Sequence, residues 1–220
     1  MVCVSIGKKN TDEIIGILGS VDFAEIRFDL CDTKLQSLDS IFGTGKKIIA
    51  TYRKTGDDDG TRLEFLARAV ELGASYIDLS PDTDSGLMVP LIARAKAAGC
   101  RIILSHHDSS GIAGLADLEK LTGEYLVFNP DIIKFAFKSV SEEDNDHILS
   151  FYNYFNTLKT GCRFICFGLG EAARQTRLRS LGCGAPFMYV SPDSTYSTAP
   201  GQFTYEEAKV IINKQIRTEK

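Results

Sequence analysis

Lys134 is the residue of this chain best placed to do chemistry. It stands in Ile132-Ile-Lys-Phe-Ala-Phe137, one ammonium among otherwise apolar positions of a strand-like run. A lysine buried in such a strand needs an acid partner or gives up its charge, because desolvation disfavours the ammonium. A neutral amine held beside other cations attacks carbonyl carbons. The plainer reading is a lysine whose stem is buried and whose head reaches solvent. His106 and His107 close a second apolar run, IILSHHD. Neighbouring strand residues face opposite ways, so at most one of them enters the interior. A histidine there suits proton transfer near neutral pH. His147 lies in a helical charge run and reads as surface.

Glu25 and Arg27 alternate with Ala24, Ile26 and Phe28, which puts both charges on one face of a strand. They read either as a structural ion pair or as a polar floor that binds hydroxyls or anions. Arg53 ends another run and would be unremarkable alone. Gly168-x-Gly170-x-x-Ala173 has the glycine pattern of a dinucleotide turn, and Asp193 falls near the spacing of a ribose-binding acid. Only one more strand follows, however, whereas a dinucleotide fold places this turn first. No nicotinamide cofactor is expected. Three histidines without supporting cysteine or carboxylate spacing predict no metal site.

Something must hold these residues. The strand-like runs are Val2–Ile6, Phe23–Leu30, Lys47–Arg53, Ser75–Ser80, Arg101–His106, Ile132–Phe137, Arg163–Phe167 and Phe187–Ser191. Amphipathic helical stretches lie between them: Asp12–Leu18, Arg62–Leu72, Leu91–Ala98, Glu142–Leu158 and Tyr205–Ile216. Thr11 and Ser141 read as N-caps before acidic first turns, and Gly73 and Gly99 as the glycines that end helices. Eight runs in 220 residues recur about every 27 residues, close to the minimum for a barrel of eight strand–helix units. Alternating strand and helix demands a parallel sheet. It closes into a (β/α)8 TIM barrel or opens into a doubly wound sheet, and the count favours the barrel. No linker divides the chain, so residues 1–220 read as one α/β domain. Two polar connections, Lys54–Gly60 and Pro192–Phe203, follow strands at the end where barrel active sites form.

Lys and Arg number 25 against 29 Asp and Glu, for a net charge of -4. That balance argues against nucleic acid or an anionic membrane surface as the main partner. No stretch of about 18 residues lacks charge, which argues against a membrane span. Lys8 and Lys9 follow the first apolar run too soon for a signal peptide. Six cysteines, at 3, 31, 100, 162, 166 and 183, show no CxxC spacing and read as reduced thiols of a cytoplasmic protein.

Taken together, these residues resemble type I 3-dehydroquinate dehydratase, the Schiff-base dehydratase of the shikimate pathway. Glu25-Ile26-Arg27-Phe28-Asp29 matches the family's E-x-R-x-D, and Arg53 its arginine after the third strand. Ile102-Ile103-Leu104-Ser105-His106-His107-Asp108 matches its histidine signature, and Ile133-Lys134-Phe135-Ala136 its lysine strand. Leu169–Leu178 is an altered form of M-G-x-x-G-x-x-S-R-I, and Thr198-Ala-Pro-Gly-Gln202 matches S-A-P-G-Q. The chain departs from the pattern at Ser80, where an acid is usual, and at the Asp57-Asp58-Asp59 run, where a single acid precedes glycine. Ala173, Thr176 and Cys183 are further departures.

The resemblance implies a lyase that converts 3-dehydroquinate to 3-dehydroshikimate. Lys134 would form an imine with the C3 ketone, and His107 would act as general base and then general acid, with His106 its non-catalytic neighbour. Arg177 would clamp the substrate carboxylate with Thr198 and Gln202 closing over it. Glu25, Arg27 and Arg53 would hold hydroxyls and orient the ketone above Ser5. No cofactor or metal is implied, since the lysine supplies the electrophile. The implied partner is a small anionic substrate, and the family leaves room for a homodimer or a fusion to shikimate dehydrogenase. Two other readings stand beside it: another lysine-imine barrel such as a class I aldolase, and a degenerate barrel without turnover.

Overall fold

Strand and helix alternate along the chain as the periodicity requires. The computed structural model describes residues 1–54, 59–80 and 82–218, with side chains described to residue 214. Its strands are β1 (Val2–Ile6), β2 (Phe23–Arg27), β3 (Lys47–Thr51), β4 (Tyr76–Leu79), β5 (Arg101–Asp108), β6 (Ile132–Lys138), β7 (Arg163–Leu169) and β8 (Met188–Val190). The helices are α1 (Thr11–Leu18), α2 (Leu38–Phe42), α3 (Gly60–Glu71), α4 (Ser85–Ala97), α5 (Leu115–Leu126), α6 (Glu142–Thr157), α7 (Arg174–Gly182) and α8 (Tyr205–Thr218).

The hydrogen-bonded order is β7-β6-β5-β4-β3-β2-β1-β8. Sequential strands pair in parallel, and β8 returns to β1 with Cys3 opposite Tyr189. A doubly wound sheet reverses its order at a switch point, so this order settles the architecture as the (β/α)8 barrel. The seam lies between β7 and β8. No ladder joins them among the described residues, but the rings of Phe167 and Tyr189 meet across it, centroids 6.4 Å apart.

Several expected boundaries move, each for a local reason. The second strand stops at Arg27, where Phe28–Leu30 turns into a 3-10 helix, and the third stops at Thr51. Asn10, not Thr11, caps α1: its side chain accepts from the Glu13 amide while Glu13 accepts from the Asn10 amide. Asparagine outranks threonine in that role, and the acid three residues on completes the reciprocal pair. Ser141 does cap α6 in the same way with Asp144, and Gly73 and Gly99 have left-handed backbone just past α3 and α4. Helix α4 begins six residues before the expected Leu91 because Asp84 caps it upstream of Pro90. Helices α2, α5 and α7 lay outside the periodic stretches. The first is five residues long, α5 buries Thr122 among its core positions, and α7 buries Thr176, Arg177 and Ser180.

Helices shield the outside of the sheet, and the interior is filled by inward side chains. At its N-terminal end the rings of Phe23, Tyr76 and Phe187 plug the barrel, with Phe23 and Phe187 edge to face at 4.9 Å. Arg101 donates to the Tyr76 hydroxyl at 2.9 Å. That plug supports a layer of polar side chains nearer the C-terminal ends. Among the described residues no helix is long and apolar enough to cross a membrane.

Candidate active site

Alternate residues of each strand face the barrel axis, so register decides which of them meet. Ser5 is opposite Glu25, Thr51 opposite Asp78, and Ser105 opposite Lys134. All six are buried. They form one polar layer toward the end of the barrel where (β/α)8 active sites form.

Lys134 has the acid partner its burial demands. Its Nζ donates to Asp78 Oδ2 at 2.9 Å and lies 3.9 Å from Glu25 Oε1. Asp78 is the hub of the layer. The same Oδ2 accepts from Arg53 Nη2 at 2.9 Å, and Oδ1 accepts from Ser105 Oγ at 2.6 Å. Arg53 Nη1 also donates to Ser105 at 2.6 Å. Burial pushes the Asp78 carboxyl up, but Arg53, Lys134 and the Ser105 hydrogen bond outweigh it and hold it well below the usual carboxylate range.

Glu25 accepts from Ser5 Oγ at 2.5 Å and from Thr51 Oγ1 at 3.0 Å. Ser5 in turn meets Thr198 Oγ1 at 2.8 Å, which ties the floor to the loop after β8. Arg27 does not pair with Glu25. Its guanidinium forks onto Asp29, Nε to Oδ1 at 2.9 Å and Nη2 to Oδ2 at 2.7 Å, a planar match that fixes its orientation.

The two histidines part as alternation requires. His106 packs outward between Phe135 and Phe137, ring centroids 6.2 and 6.1 Å away. His107 lines the central cavity. Its side chain is exposed at the mouth of that cavity. Desolvation by the neighbouring protein pushes the imidazole well below the usual histidine range, and the charges of Arg53 and Lys134 add to it while Asp78 opposes. These influences favour the neutral form of the imidazole.

Arg177 is the most unusual charge in the molecule. It is 2% exposed, its guanidinium lies 4.3 Å from the Phe167 ring centroid, and Nη2 donates to the Pro200 carbonyl at 3.3 Å. Its Nε has no hydrogen-bond partner among the described residues. Burial pushes it down to about 10, with Glu171 opposing. Buried cations are normally paired, but Arg177 makes no ion pair with a carboxylate among the described residues.

The loop after β8 roofs the cavity. An isolated bridge between Ser191 and Thr204 closes its base, and Gln202 Oε1 braces it by accepting from the Thr198 amide at 2.9 Å and Ser197 Oγ at 3.0 Å. Gly201 meets the β7–α7 connection so closely that a Cβ would lie 2.3 Å from the Gly170 carbonyl oxygen. The glycines of Gly168-x-Gly170-x-x-Ala173 thus serve packing: a Cβ on Gly168 would lie 2.3 Å from that of Ala173. Asp193 is occupied by the amides of Thr195 and Tyr196.

A cavity of about 350 Å³ brings together all nine residues singled out from the sequence: Ser5, Glu25, Arg27, Arg53, His107, Lys134, Arg177, Thr198 and Gln202. Sequence reasoning missed Asp78, Ser105 as its partner, and Tyr189, whose ring lies beneath Lys134. Asp78 had a signal: it interrupts the apolar run Tyr76-Ile-Asp-Leu79 just as Lys134 interrupts its own. Ser80, at the family's acid position, bonds Asp82 instead. Asp57 and Asp58 lie outside the described residues, while Asp59 pairs with Arg62 at 2.5 Å.

Comparison with known proteins gives the chain a family. The family model described as Type I 3-dehydroquinase matches residues 2–216. A 3-dehydroquinate dehydratase of Syntrophobacter fumaroxidans is 29% identical over 171 residues, 75% of this chain and 71% of that protein. The type I 3-dehydroquinate dehydratase structure from Clostridium difficile superposes with a TM-score of 0.87 at 17% identity, covering 99% of this chain and 92% of that one. A structure of dehydroquinate dehydratase and shikimate dehydrogenase from S. pombe AroM has a TM-score of 0.80 at 19% identity, covering 96% of this chain and 44% of that one. A match that runs through nearly every strand and helix of the barrel leaves one assignment: this chain belongs to the type I 3-dehydroquinase family.

Proposed function

We propose that this protein dehydrates 3-dehydroquinate to 3-dehydroshikimate as a single catalytic domain, with Lys134 as the imine-forming amine and His107 as the acid–base group. One observation supports this reading above the others. A buried lysine held by Asp78 at 2.9 Å shares one cavity with a histidine and a buried arginine.

The Lys134 amine adds to the C3 ketone, and the carbinolamine loses water to give a protonated imine. That cation is an electron sink for the C2–H bond. His107 removes the C2 proton, and the electron pair moves onto the imine nitrogen as an enamine. The enamine pushes out the C1 hydroxyl, which takes the proton from His107 and departs as water. Water then hydrolyses the conjugated imine and frees Lys134, so one water is lost overall. Arg177 holds the carboxylate with a bidentate fork, while Thr198 and Gln202 cover it. Arg53 and Arg27 orient the ketone and ring hydroxyls. The six cysteines are free, which suits a cytoplasmic enzyme.

The test is reductive trapping. Incubation with 3-dehydroquinate and borohydride, followed by peptide mapping, should label Lys134, and Lys134→Ala should abolish both label and turnover. Absence of an adduct together with absence of enone absorbance would sink the proposal.

A further inference from the structure

Tyr189 takes part in no step described above, although it lies at the centre of the layer. It is 3% exposed and lines the cavity. The Lys134 Nζ stands 4.5 Å from its ring centroid. The ring itself is fixed by Phe187 at 5.2 Å and by Phe167 across the barrel seam. Its hydroxyl has no hydrogen-bond partner among the described residues. Burial, with Glu25 and Asp78 close by, pushes the phenol far up, so it stays neutral.

A buried tyrosine normally spends its hydroxyl on a hydrogen bond. Here the face of the ring makes the specific contact and the O–H makes none. We infer that Tyr189 is a positioning residue for Lys134, its ring face holding the nitrogen cation of the ammonium and then of the protonated imine. The ring's negative face attracts a cation at this distance, and the attraction strengthens when water is excluded. Asp78 and Glu25 hold the nitrogen through oxygen atoms, at 2.9 and 3.9 Å. Tyr189 holds it from β8 without offering a base that could take its proton. Asp78 anchors the free amine, and the ring supports a cation that has lost donor hydrogens on forming the imine.

Other charged and titratable groups act on the same nitrogen. Asp78 comes from β4 and Glu25 from β2, while Cys3 of β1 and His107 of β5 also feel its charge. Arg53, just past β3, shares the Asp78 oxygen. Substitution at Tyr189 leaves all of these in place.

The inference rests on the imine reading for its turnover arm only. Tyr189→Leu removes the ring, and Tyr189→Phe keeps it while deleting the hydroxyl. Where leucine leaves the barrel unfolded, Tyr189→Met supplies a ringless side chain of greater reach. The ringless variant should lose about thirtyfold in kcat, the size of a desolvated cation–π contact, with KM changed little because Arg177 is untouched. Tyr189→Phe should retain wild-type kcat. In a second arm, without substrate, the unliganded protein is labelled with acetic anhydride across pH and Lys134 is read by peptide mass. The midpoint should move to lower pH in the ringless variant and stay in place in Tyr189→Phe, a pattern that altered access alone does not give. Equal damage from phenylalanine and leucine would overturn the inference, as would a ringless variant with unchanged kcat and labelling. A labelling shift without any 3-dehydroquinate adduct in the wild type would uphold the ring contact and reject the dehydratase reading.

Discussion

Asp78 Oδ2 lies 2.9 Å from Lys134 Nζ, and that one oxygen also receives Arg53. A single carboxylate oxygen thus fixes both the amine and the guanidinium at one buried point. Asp78→Asn should leave two cations without their shared countercharge. The expected cost is about 3 kcal/mol of stability, typical of a broken buried pair. Turnover should fall about a hundredfold as the amine loses its position. Chemical denaturation and steady-state kinetics measure the two effects, and an unchanged kcat would show that Asp78 acts on stability alone.

His107 and His106 are adjacent in sequence and face opposite ways, so their alanine variants should differ in kind. His107→Ala should still trap an imine on Lys134 but lose about 10³-fold in kcat, the usual worth of a positioned acid–base group. His106→Ala removes ring contacts with Phe135 and Phe137 and should cost stability while keeping most turnover. Equal loss of kcat from both would reassign the proton-transfer role.

The pH profile carries a second signature of His107. Its imidazole is displaced downward by desolvation and then by Arg53 and Lys134, so the neutral form persists below the ordinary value of about 6.5. The acid limb of kcat/KM should therefore fall below that value, with activity lost as pH drops through it. A limb at or above the ordinary value would contradict the electrostatics of the site.

Arg177→Met should separate function from stability. If Arg177 clamps the substrate carboxylate as proposed, KM should rise about a hundredfold, the worth of a charge-assisted bidentate contact. Removing a buried cation that lacks a carboxylate partner also removes its desolvation cost. The melting temperature of the unliganded protein should hold or rise. A large fall in melting temperature would mean that the contacts with Phe167 and Pro200 outweigh that cost.

Gly201→Ala should dislodge the roof. The residue has φ +77°, and its Cβ would sit 2.3 Å from the Gly170 carbonyl oxygen. Strain of this kind costs about 1–3 kcal/mol, and the loop can relieve it by lifting away from the β7–α7 connection. The expected result is a several-fold higher KM with a smaller change in kcat, read by steady-state kinetics. Unaltered KM would show that the loop closes without this contact.

Local pattern alone was enough to give the alternation of strands and helices, and with it a parallel sheet, because a parallel return needs a crossover helix. It also exposed Lys134, since a lone ammonium in an apolar strand is costly at any register. The split between His106 and His107 followed from the two-residue period of a strand. Local pattern failed where tertiary contacts set the boundary or the partner. Helix α7 carries little apolar periodicity, because its buried positions hold Thr176, Arg177 and Ser180. The choice of Asp78 as the partner of Lys134 depends on the register of β4, β5 and β6, residues 56 positions apart meeting at 2.9 Å. The glycines after β7 could not be told from a phosphate-binding turn by spacing. Only the approach of Gly201 to Gly170 shows that they make room for the roof of the site. Tyr189 is the clearest case: nothing in its own neighbourhood marks it, and its meaning comes from the closure of β8 onto β1, which brings its ring under the lysine.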